Sequence, residues 1–250
     1  MTDAPRLPHG YRALVLDAVG STNALALDKA REGEASGLWV VAGRQTAGRG
    51  RQGRPWSSEP GNLFSSLMLR DAAPPERMGE LPLVVALAVH DAIADVLPPP
   101  ARPSLEIKWP NDVLLGGAKI SGILIEGAAL PEGAVAVIGI GINCASHPGG
   151  TPYPATHLDA AGYPTAPLAL FECLAARLAA RLAEWRDVGF ASIRESWLKR
   201  ARGLGAPITV RLPDRTVSGR FEGLDPGGRL MLVTDEGSRQ LISAGDVFFR

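Results

Sequence analysis

The stretch GRQTAGRGRQGRPW, residues 43–56, holds four arginines and four glycines and ends on Trp56. A guanidinium offers five N–H donors in a planar fork that matches carboxylate and phosphate oxygens, and glycine lets the backbone wrap closely around an anion. Arg49, Arg51 and Arg54 are near enough in sequence to reach one phosphorylated ligand. Solvated basic loops and nucleic-acid-binding arginine–glycine segments have the same composition, so the residues alone leave these alternatives open.

A second stretch, KWPND at residues 108–112, places a lysine directly before a turn. Proline fixes a φ angle, and the side chains of Asn111 and Asp112 can hold the backbone of the turn, so Lys108 is kept in one direction. A lysine held in this way can stabilise negative charge that develops in a transition state. A solvated or ion-paired lysine is the commoner arrangement, and the motif by itself does not exclude it.

Two glycine-bearing stretches follow, KISGILIEG at 119–127 and GIGINC at 139–144. Gly122, Gly139 and Gly141 remove side chains from apolar runs, which allows another group to approach the backbone closely. A β-bulge or a barrel corner uses glycine in the same manner. Spacing alone does not choose between these interpretations.

The hydrophobic pattern predicts the elements that position these stretches. It indicates strands near 13–16, 38–43, 62–70, 105–109, 113–115, 119–127 and 134–144, and helices near 22–32, 79–97, 167–187 and 189–201. The arginine stretch is therefore a connection between two strands, and the short connections after residue 105 favour antiparallel hairpins.

Past residue 205 the pattern changes to four short segments separated by DR, PGG and DEG turns, which predicts a small antiparallel barrel of about 45 residues. The predicted fold class is α+β, with a mixed or antiparallel sheet, helices packed on it, and the barrel at the C-terminal end. We expect a catalytic domain at residues 1–203 and the barrel at residues 204–250.

Composition narrows the function classes. The 250 residues are 46% hydrophobic and carry 26 basic and 26 acidic side chains, so the overall charge gives no sign of a polyanion partner. Cys144 and Cys173 are too few for a disulfide framework and predict a reducing compartment, the cytoplasm. No run reaches the roughly 20 apolar residues of a membrane span, and we expect no membrane association. We also expect neither a signal peptide nor an N-terminal DNA-reading module, and thus no specific DNA binding.

Taken in order, TAGRGRQGRPW, KWPNDV, KISGILIEG and GIGIN resemble the motif set of the biotin–protein ligases, with STN at 21–23 as a further match. The resemblance covers roughly residues 13–145, and the predicted barrel is similar to the family's small SH3-like domain. It implies an enzyme that uses ATP and magnesium to convert biotin into biotinyl-5′-adenylate. Biotin then passes to a lysine of a biotin carboxyl carrier protein or domain. We expect the monofunctional type, without a DNA-binding domain, as a monomer or a homodimer.

The resemblance also implies roles for particular residues. The expected catalytic residues are Lys108, Arg49, Arg51 and Arg54. The expected biotin-binding residues are Ser21, Thr22, Asn23, Gln45, Gly48, Arg49, Arg51, Lys108 and Gly122. The expected nucleotide-binding residues are Arg51, Arg54, Trp56, Asn111, Asp112 and Asn143. Magnesium ligands and the contacts of the loop after Asn143 stay unassigned, and Gln52 stands where many relatives carry another arginine.

Three alternatives remain: a lipoate or octanoate ligase or transferase of the same fold, a nucleic-acid-binding domain, and a biotin sensor without catalysis. The intact KWPND and GRGRQGRPW motifs favour biotin, and the neutral chain with 6% aromatic residues disfavours nucleic acid. Because glycine loses much backbone entropy on ordering, we expect the loop at 48–54 to be disordered until biotin binds.

Overall fold

The computed structural model describes residues 4–151 and 153–249. The strands are β1 Arg12–Leu16, β2 Leu38–Ala42, β3 Leu63–Arg70, β4 Leu105–Lys108, β5 Asp112–Leu115, β6 Ala118–Leu130, β7 Gly133–Ile142, β8 Pro207–Arg211, β9 Thr216–Leu224, β10 Leu230–Thr234, β11 Arg239–Ile242 and β12 Asp246–Phe249. The helices are α1 Thr22–Arg31, α2 Leu81–Val96, α3 Pro167–Asp187 and α4 Phe190–Leu198, with 3-10 turns at Arg51–Gly53, Pro75–Glu80 and Pro99–Ser104.

The larger sheet has seven strands in the order β1-β2-β3-β7-β6-β5-β4. β1 and β2 are parallel, with α1 as the crossover between them, and the remaining neighbours are antiparallel. The predicted mixed sheet and the hairpins between β4 and β7 are confirmed. The arginine stretch connects β2 to β3, as expected.

Helices cover both faces of this sheet because strand side chains alternate between the faces. Val40, Met68 and Val137 point to the side where Ala26 and Ala30 of α1 pack, and together they form a small apolar cluster. Alternate residues of the same strands point to the other side, where α2, α3 and α4 build the main core. Every residue of α2 from Leu83 to Ile93 is buried, so this helix lies inside the core and not on its surface.

The C-terminal sheet has five antiparallel strands in the order β11-β10-β9-β8-β12. The four predicted strands are present, and β12 is an addition that the sequence pattern did not indicate, because it contains only Asp246–Phe249. The two edge strands of this sheet, β11 and β12, do not pair with each other. Within residues 204–249 the strands therefore form an antiparallel sheet that is not closed into a barrel.

The two sheets share one apolar core that includes residues from both. The turn before β10 enters the first unit at Gly228, whose carbonyl accepts a 3.2 Å hydrogen bond from Trp109 Nε1. A methyl group on Gly228 would come within 2.6 Å of Leu83 on α2. The boundary between residues 203 and 204 therefore stays a prediction. In the described ranges, no helix is long and apolar enough to cross a membrane.

Candidate active site

A cavity of about 390 Å³ lies on the face of the large sheet that carries α1, beyond the first turn of that helix. Along this face of β7 the side chains shrink from Val137 to Gly139 and Gly141, and Gly122 of β6 is the register partner of Gly141. The floor of the cavity is consequently bare backbone.

The indole of Trp56 lies on this floor. A Cβ atom at Gly141 would be 2.6 Å from the indole, and one at Gly122 would be 2.8 Å from it. Such distances are shorter than real Cβ contacts, so both glycines are required by the position of the ring. Trp56 Nε1 is buried against this backbone and has no hydrogen-bond partner among the described residues.

One end of the cavity is neutral and polar. Ser21 caps α1, and the side-chain oxygen of Gln45 accepts hydrogen bonds from the backbone N–H of Thr22 at 2.8 Å and from its hydroxyl at 3.0 Å. The amide nitrogen of Gln45 donates to Ser58 Oγ at 3.1 Å. Gly48 lies against this network, since a Cβ there would be 2.5 Å from Ser58 Oγ. Ser21, Thr22 and Gln45, the residues expected at the biotin head group, therefore lie together among uncharged donors and acceptors. Their contact with biotin stays a prediction.

Asn23 lines the same end and is held by its neighbours. Its amide nitrogen donates to Glu126 Oε2 at 2.7 Å, and its oxygen accepts from Ser66 Oγ at 2.5 Å. The side chain covers Gly139, where a Cβ would collide with it. The contacts of Asn23 therefore fix α1 to the sheet.

Arg51 and Arg54 lie at the opposite end. The tight turn between them has positive φ angles at Gln52 and Gly53, 58° and 71°. Arg51 donates to Asn111 Oδ1 at 2.7 Å and to the Gly245 carbonyl at 3.4 Å.

Arg54 donates to Asp246 Oδ2 at 2.7 Å and to the Tyr153 hydroxyl at 3.1 Å. The bond to Asp246 is the main cause that raises the pKa of Arg54. The C-terminal sheet thus reaches the site through Asp246 of β12. Gln52, where many relatives have arginine, accepts a 2.8 Å bond from Arg54.

Arg49 is set apart from these two arginines. Its guanidinium lies 3.5 Å from Glu126 Oε1, the carboxylate that also binds Asn23, and its side chain is half exposed. It lines the cavity near the neutral end. The structure therefore does not gather the three arginines around one point, and a phosphate contact by Arg49 stays a prediction.

Two lysines meet at one carboxylate. The Nζ atom of Lys119 is 2.6 Å from Asp112 Oδ1, and that of Lys108 is 3.5 Å from Asp112 Oδ2. Lys108 Nζ lies 4.3 Å from the ring centre of Tyr153, and burial lowers the pKa of Lys108 although Asp112 opposes the shift. Burial alone would raise the pKa of Asp112, but the charges of Lys119 and Lys108 hold that pKa below its ordinary value.

The comparisons with known proteins agree with this geometry. Residues 15–143 match the Biotin/lipoate A/B protein ligase family, and residues 203–250 match the Biotin protein ligase C terminal domain. A biotin–[acetyl-CoA-carboxylase] ligase from Paracoccus denitrificans is 42% identical over 243 residues, which cover 94% of this chain and 99% of that protein.

The chain belongs to the biotin protein ligase family.

Two solved structures of biotin protein ligases are similar over nearly the whole chain. The ligase from Aquifex aeolicus in complex with biotin and ATP is 28% identical, with a TM-score of 0.79 over 95% of this chain and 98% of that chain. The ligase from Leishmania major in complex with biotinyl-5-AMP is 26% identical, with a TM-score of 0.67 over 93% and 98%. The arrangement of sheets and helices is therefore that of biotin protein ligases.

The side chains of the two asparagines expected at the nucleotide already form hydrogen bonds within the protein. Asn111 donates to the Ile123 carbonyl at 2.5 Å while its oxygen accepts from Arg51, and Asn143 donates to the Thr156 carbonyl at 3.0 Å. Both line the cavity. Their hydrogen bonds orient the arginine loop and the loop at 145–157.

Sequence reasoning did not select three residues that line the cavity: Lys119, Tyr153 and Asp246. Tyr153 belongs to the loop after Asn143, whose contacts no motif indicated. Asp246 is separated from the motifs by a hundred residues. A signal for Lys119 was present, because the chain has only four lysines and Lys119 opens the KISGILIEG stretch.

A resident metal does not fit the side chains of this site. Within residues 4–151 and 153–249 no group of three or more histidine, cysteine, aspartate or glutamate residues is placed to hold an ion. The two carboxylates that line the cavity, Asp112 and Asp246, each already face a cation.

Proposed function

We propose that the chain activates biotin with ATP and then transfers it to one lysine of a carrier protein. The observation that carries the proposal is the polarity of the cavity. Uncharged donors and acceptors at Thr22 and Gln45 form one end, the flat ring of Trp56 lies between, and Arg51, Arg54 and Lys119 form the other end. A neutral ureido ring, an apolar bicycle and a carboxylate joined to a phosphate suit these three regions in that order.

The first step joins two anions. A biotin carboxylate oxygen attacks the α-phosphorus of ATP, the bond to the β-phosphate breaks, and pyrophosphate leaves. Because the two anions repel each other, cationic donors must hold them in line, which is a task of proximity and electrostatics. We assign Arg51 and Arg54 to the phosphates and Lys108 to the carboxylate–phosphate junction. Arg49, at the neutral end, is assigned to biotin and the closing of the loop.

The second step forms an amide. The neutral amine of the carrier lysine attacks the biotinyl carbonyl carbon, the C–O bond to the phosphate breaks, and AMP leaves as the amine loses its proton. The carrier we propose is a biotin carboxyl carrier protein or domain of an acyl-CoA carboxylase. The relative from Paracoccus denitrificans, a biotin–[acetyl-CoA-carboxylase] ligase, supports this choice.

The remaining assignments follow from the substrates. Magnesium enters with ATP as the Mg·ATP complex and shields its phosphate charge, since Mg²⁺ is usually held by phosphates, waters and one or two carboxylates. We propose the cytoplasm as the location, with support from Cys144 and Cys173, which are both unpaired thiols.

ATP–pyrophosphate exchange tests the first step. Purified protein with magnesium is assayed with biotin, lipoate, octanoate or no acid, and we expect exchange with biotin alone. A K108M variant should lose exchange about 100-fold, whereas K29M, at a partly buried lysine of α1 that does not line the cavity, serves as the matched control and should keep it. Exchange that requires lipoate or octanoate would instead favour the other acids of this family, and no exchange with any acid would refute the proposal.

A carrier domain tests the second step. With biotin and ATP present, the domain should gain one biotin on its target lysine, and a carrier in which that lysine is arginine should gain none. Equal labelling of both carriers would refute specific transfer.

A further inference from the structure

Two of the four histidines of the chain face each other at the two ends of the loop at 145–157. The Nδ1 atoms of His147 and His157 are 2.7 Å apart, and the ring centres are 4.9 Å apart with an angle of 39° between the ring planes. Neither histidine lines the cavity, although the loop between them does. The proposed reaction therefore gives this pair no role.

The chain on either side of the pair is held by the fold. Directly before His147, the N–H of Ser146 donates to Asn62 Oδ1 at 3.2 Å, and the Ser146 carbonyl accepts from the Asn62 amide at 3.1 Å. Directly after His157, the side chain of Leu158 is fully buried in the main core. The two imidazoles are thus brought together before any ligand arrives, which lowers the entropic cost of binding one.

The pair is open to solvent on one side, because His147 is exposed and His157 is partly buried. A neutral imidazole carries a single proton, so in a neutral pair one Nδ1 donates to the other. If both rings carry the proton on Nε2 instead, two lone pairs converge on one point between them. Nitrogen lone pairs of this kind are preferred ligands of Zn²⁺, Ni²⁺ and Cu²⁺.

The distance between the nitrogens suits a shared ion. With metal–nitrogen bonds of about 2.0–2.1 Å, two ligands are about 2.9 Å apart at a right angle and about 3.3 Å apart at the tetrahedral angle. The observed 2.7 Å is shorter than these distances by about 0.2–0.6 Å, a difference that small rotations of the two rings can supply.

We propose that His147 and His157 form a binding site for one divalent transition-metal ion such as Zn²⁺, with both Nδ1 atoms as ligands and water in the remaining positions. The ion connects the two ends of the loop that carries Thr151 and Tyr153 along the cavity. Two protein ligands are fewer than the three or four of catalytic and structural zinc sites, so the ion binds reversibly. The site is separate from the magnesium that enters with ATP and does not depend on the proposed function.

Calorimetric titration of the tag-free protein with Zn²⁺, in a buffer without phosphate or chelators, tests this site. H147Q and H157Q each remove one ligand and keep a polar side chain. H9Q, at an exposed histidine outside the loop, is the matched control. C173S tests for binding at Cys173, the less buried of the two thiols.

We expect the wild type, H9Q and C173S to bind one Zn²⁺ with the same affinity. H147Q and H157Q should each weaken binding at least about tenfold, because one imidazole alone cannot chelate the ion. The double variant should bind only slightly more weakly than either single variant, since chelation is already lost in each. Millimolar Mg²⁺ should not compete, because it prefers oxygen ligands.

Anomalous X-ray scattering at the zinc absorption edge would locate the ion, and we expect a peak between the two rings. The inference is overturned if the wild type binds no Zn²⁺, if H147Q and H157Q both bind it as tightly as the wild type, or if the peak lies elsewhere. In each of these cases the two histidines form a hydrogen bond and no metal site. None of the measurements requires turnover, so a chain without exchange activity would refute the proposed function and leave this test intact.

Discussion

Asn62 is expected to hold the loop at 145–157 against the cavity, and its replacement by alanine should loosen that loop. Its side-chain oxygen accepts hydrogen bonds from the backbone N–H groups of Cys144, Ala145 and Ser146 at 2.8, 2.9 and 3.2 Å. Its amide nitrogen donates to the carbonyl and the hydroxyl of Ser146, both at 3.1 Å. The residue is 4% exposed, so water cannot easily replace these bonds.

The magnitude follows from the three accepted bonds. Each contributes about 1 kcal/mol net, and a buried donor left without a partner costs about as much or more, so N62A should lower the free energy of unfolding by about 3 kcal/mol. For a chain of this size, each kcal/mol corresponds to about 2–4 °C in Tm, which gives a drop of about 6–12 °C.

Urea unfolding of N62A, N62D and S65A would measure this effect. The N62D carboxylate keeps an acceptor for the three N–H groups, so it should lose less stability than N62A. Ser65 lies on β3, which begins directly after Asn62, and is also buried, but its hydroxyl has no partner among the described residues. S65A should therefore change the stability by less than about 0.5 kcal/mol.

The same loop carries Tyr153 and Thr151 into the cavity. N62A should therefore raise the KM values for biotin and ATP in the exchange assay at a temperature where the variant is still folded. A loss of stability below about 1 kcal/mol in N62A, or an equal loss in S65A, would refute the assignment of the three hydrogen bonds.

Three further predictions concern the cavity itself. G141A should displace the indole of Trp56 and reduce biotin-dependent exchange about tenfold or more, whereas G127A, whose Cβ would meet its nearest neighbour at an ordinary 3.7 Å, should be tolerated; equal rates in both variants would contradict this. Because burial lowers the pKa of Lys108, its ammonium loses its proton at a lower pH than a free lysine does. The exchange rate should accordingly fall on the alkaline side below about pH 10.4, and K108R, whose guanidinium stays charged, should not show this fall in its residual activity; an unchanged alkaline limb in K108R would count against the assignment. Trypsin cleavage within residues 48–54 should slow when biotin is added, because the bound ligand orders this loop. Cleavage of the unfolded protein, with and without biotin, is the control. Equal cleavage rates of the folded protein with and without biotin would exclude ordering of the loop by the ligand.

The local sequence was sufficient to predict the helices α1 and α2. The Ser21 cap and the residues after it predicted α1, and the long apolar run before Pro98 predicted α2, because capping and proline act within a few residues. The local sequence did not predict the C-terminal strand β12. Its four residues have too little pattern of their own and become a strand by pairing with β8.

The site shows a similar division. Thr22 and Gln45, both expected at the biotin head group, are hydrogen-bonded to each other because Thr22 follows β1, Gln45 follows β2, and these two strands are parallel neighbours. Their contact with biotin stays a prediction. The separation of Arg49 from Arg51 was not predicted, since the direction of each side chain in the loop depends on distant acceptors, Glu126 for one and Asn111 for the other.

The sequence by itself determined the family, the α+β class and the motifs that supply cations, glycines and the tryptophan, because these depend on residue type and spacing. Only the tertiary structure decided that Lys108 and Lys119 share the carboxylate of Asp112, because their strands are brought together by pairing in the sheet. The contribution of Asp246 likewise required the C-terminal sheet to pack against the arginine loop, since electrostatic contacts follow distance in space and not position in the chain.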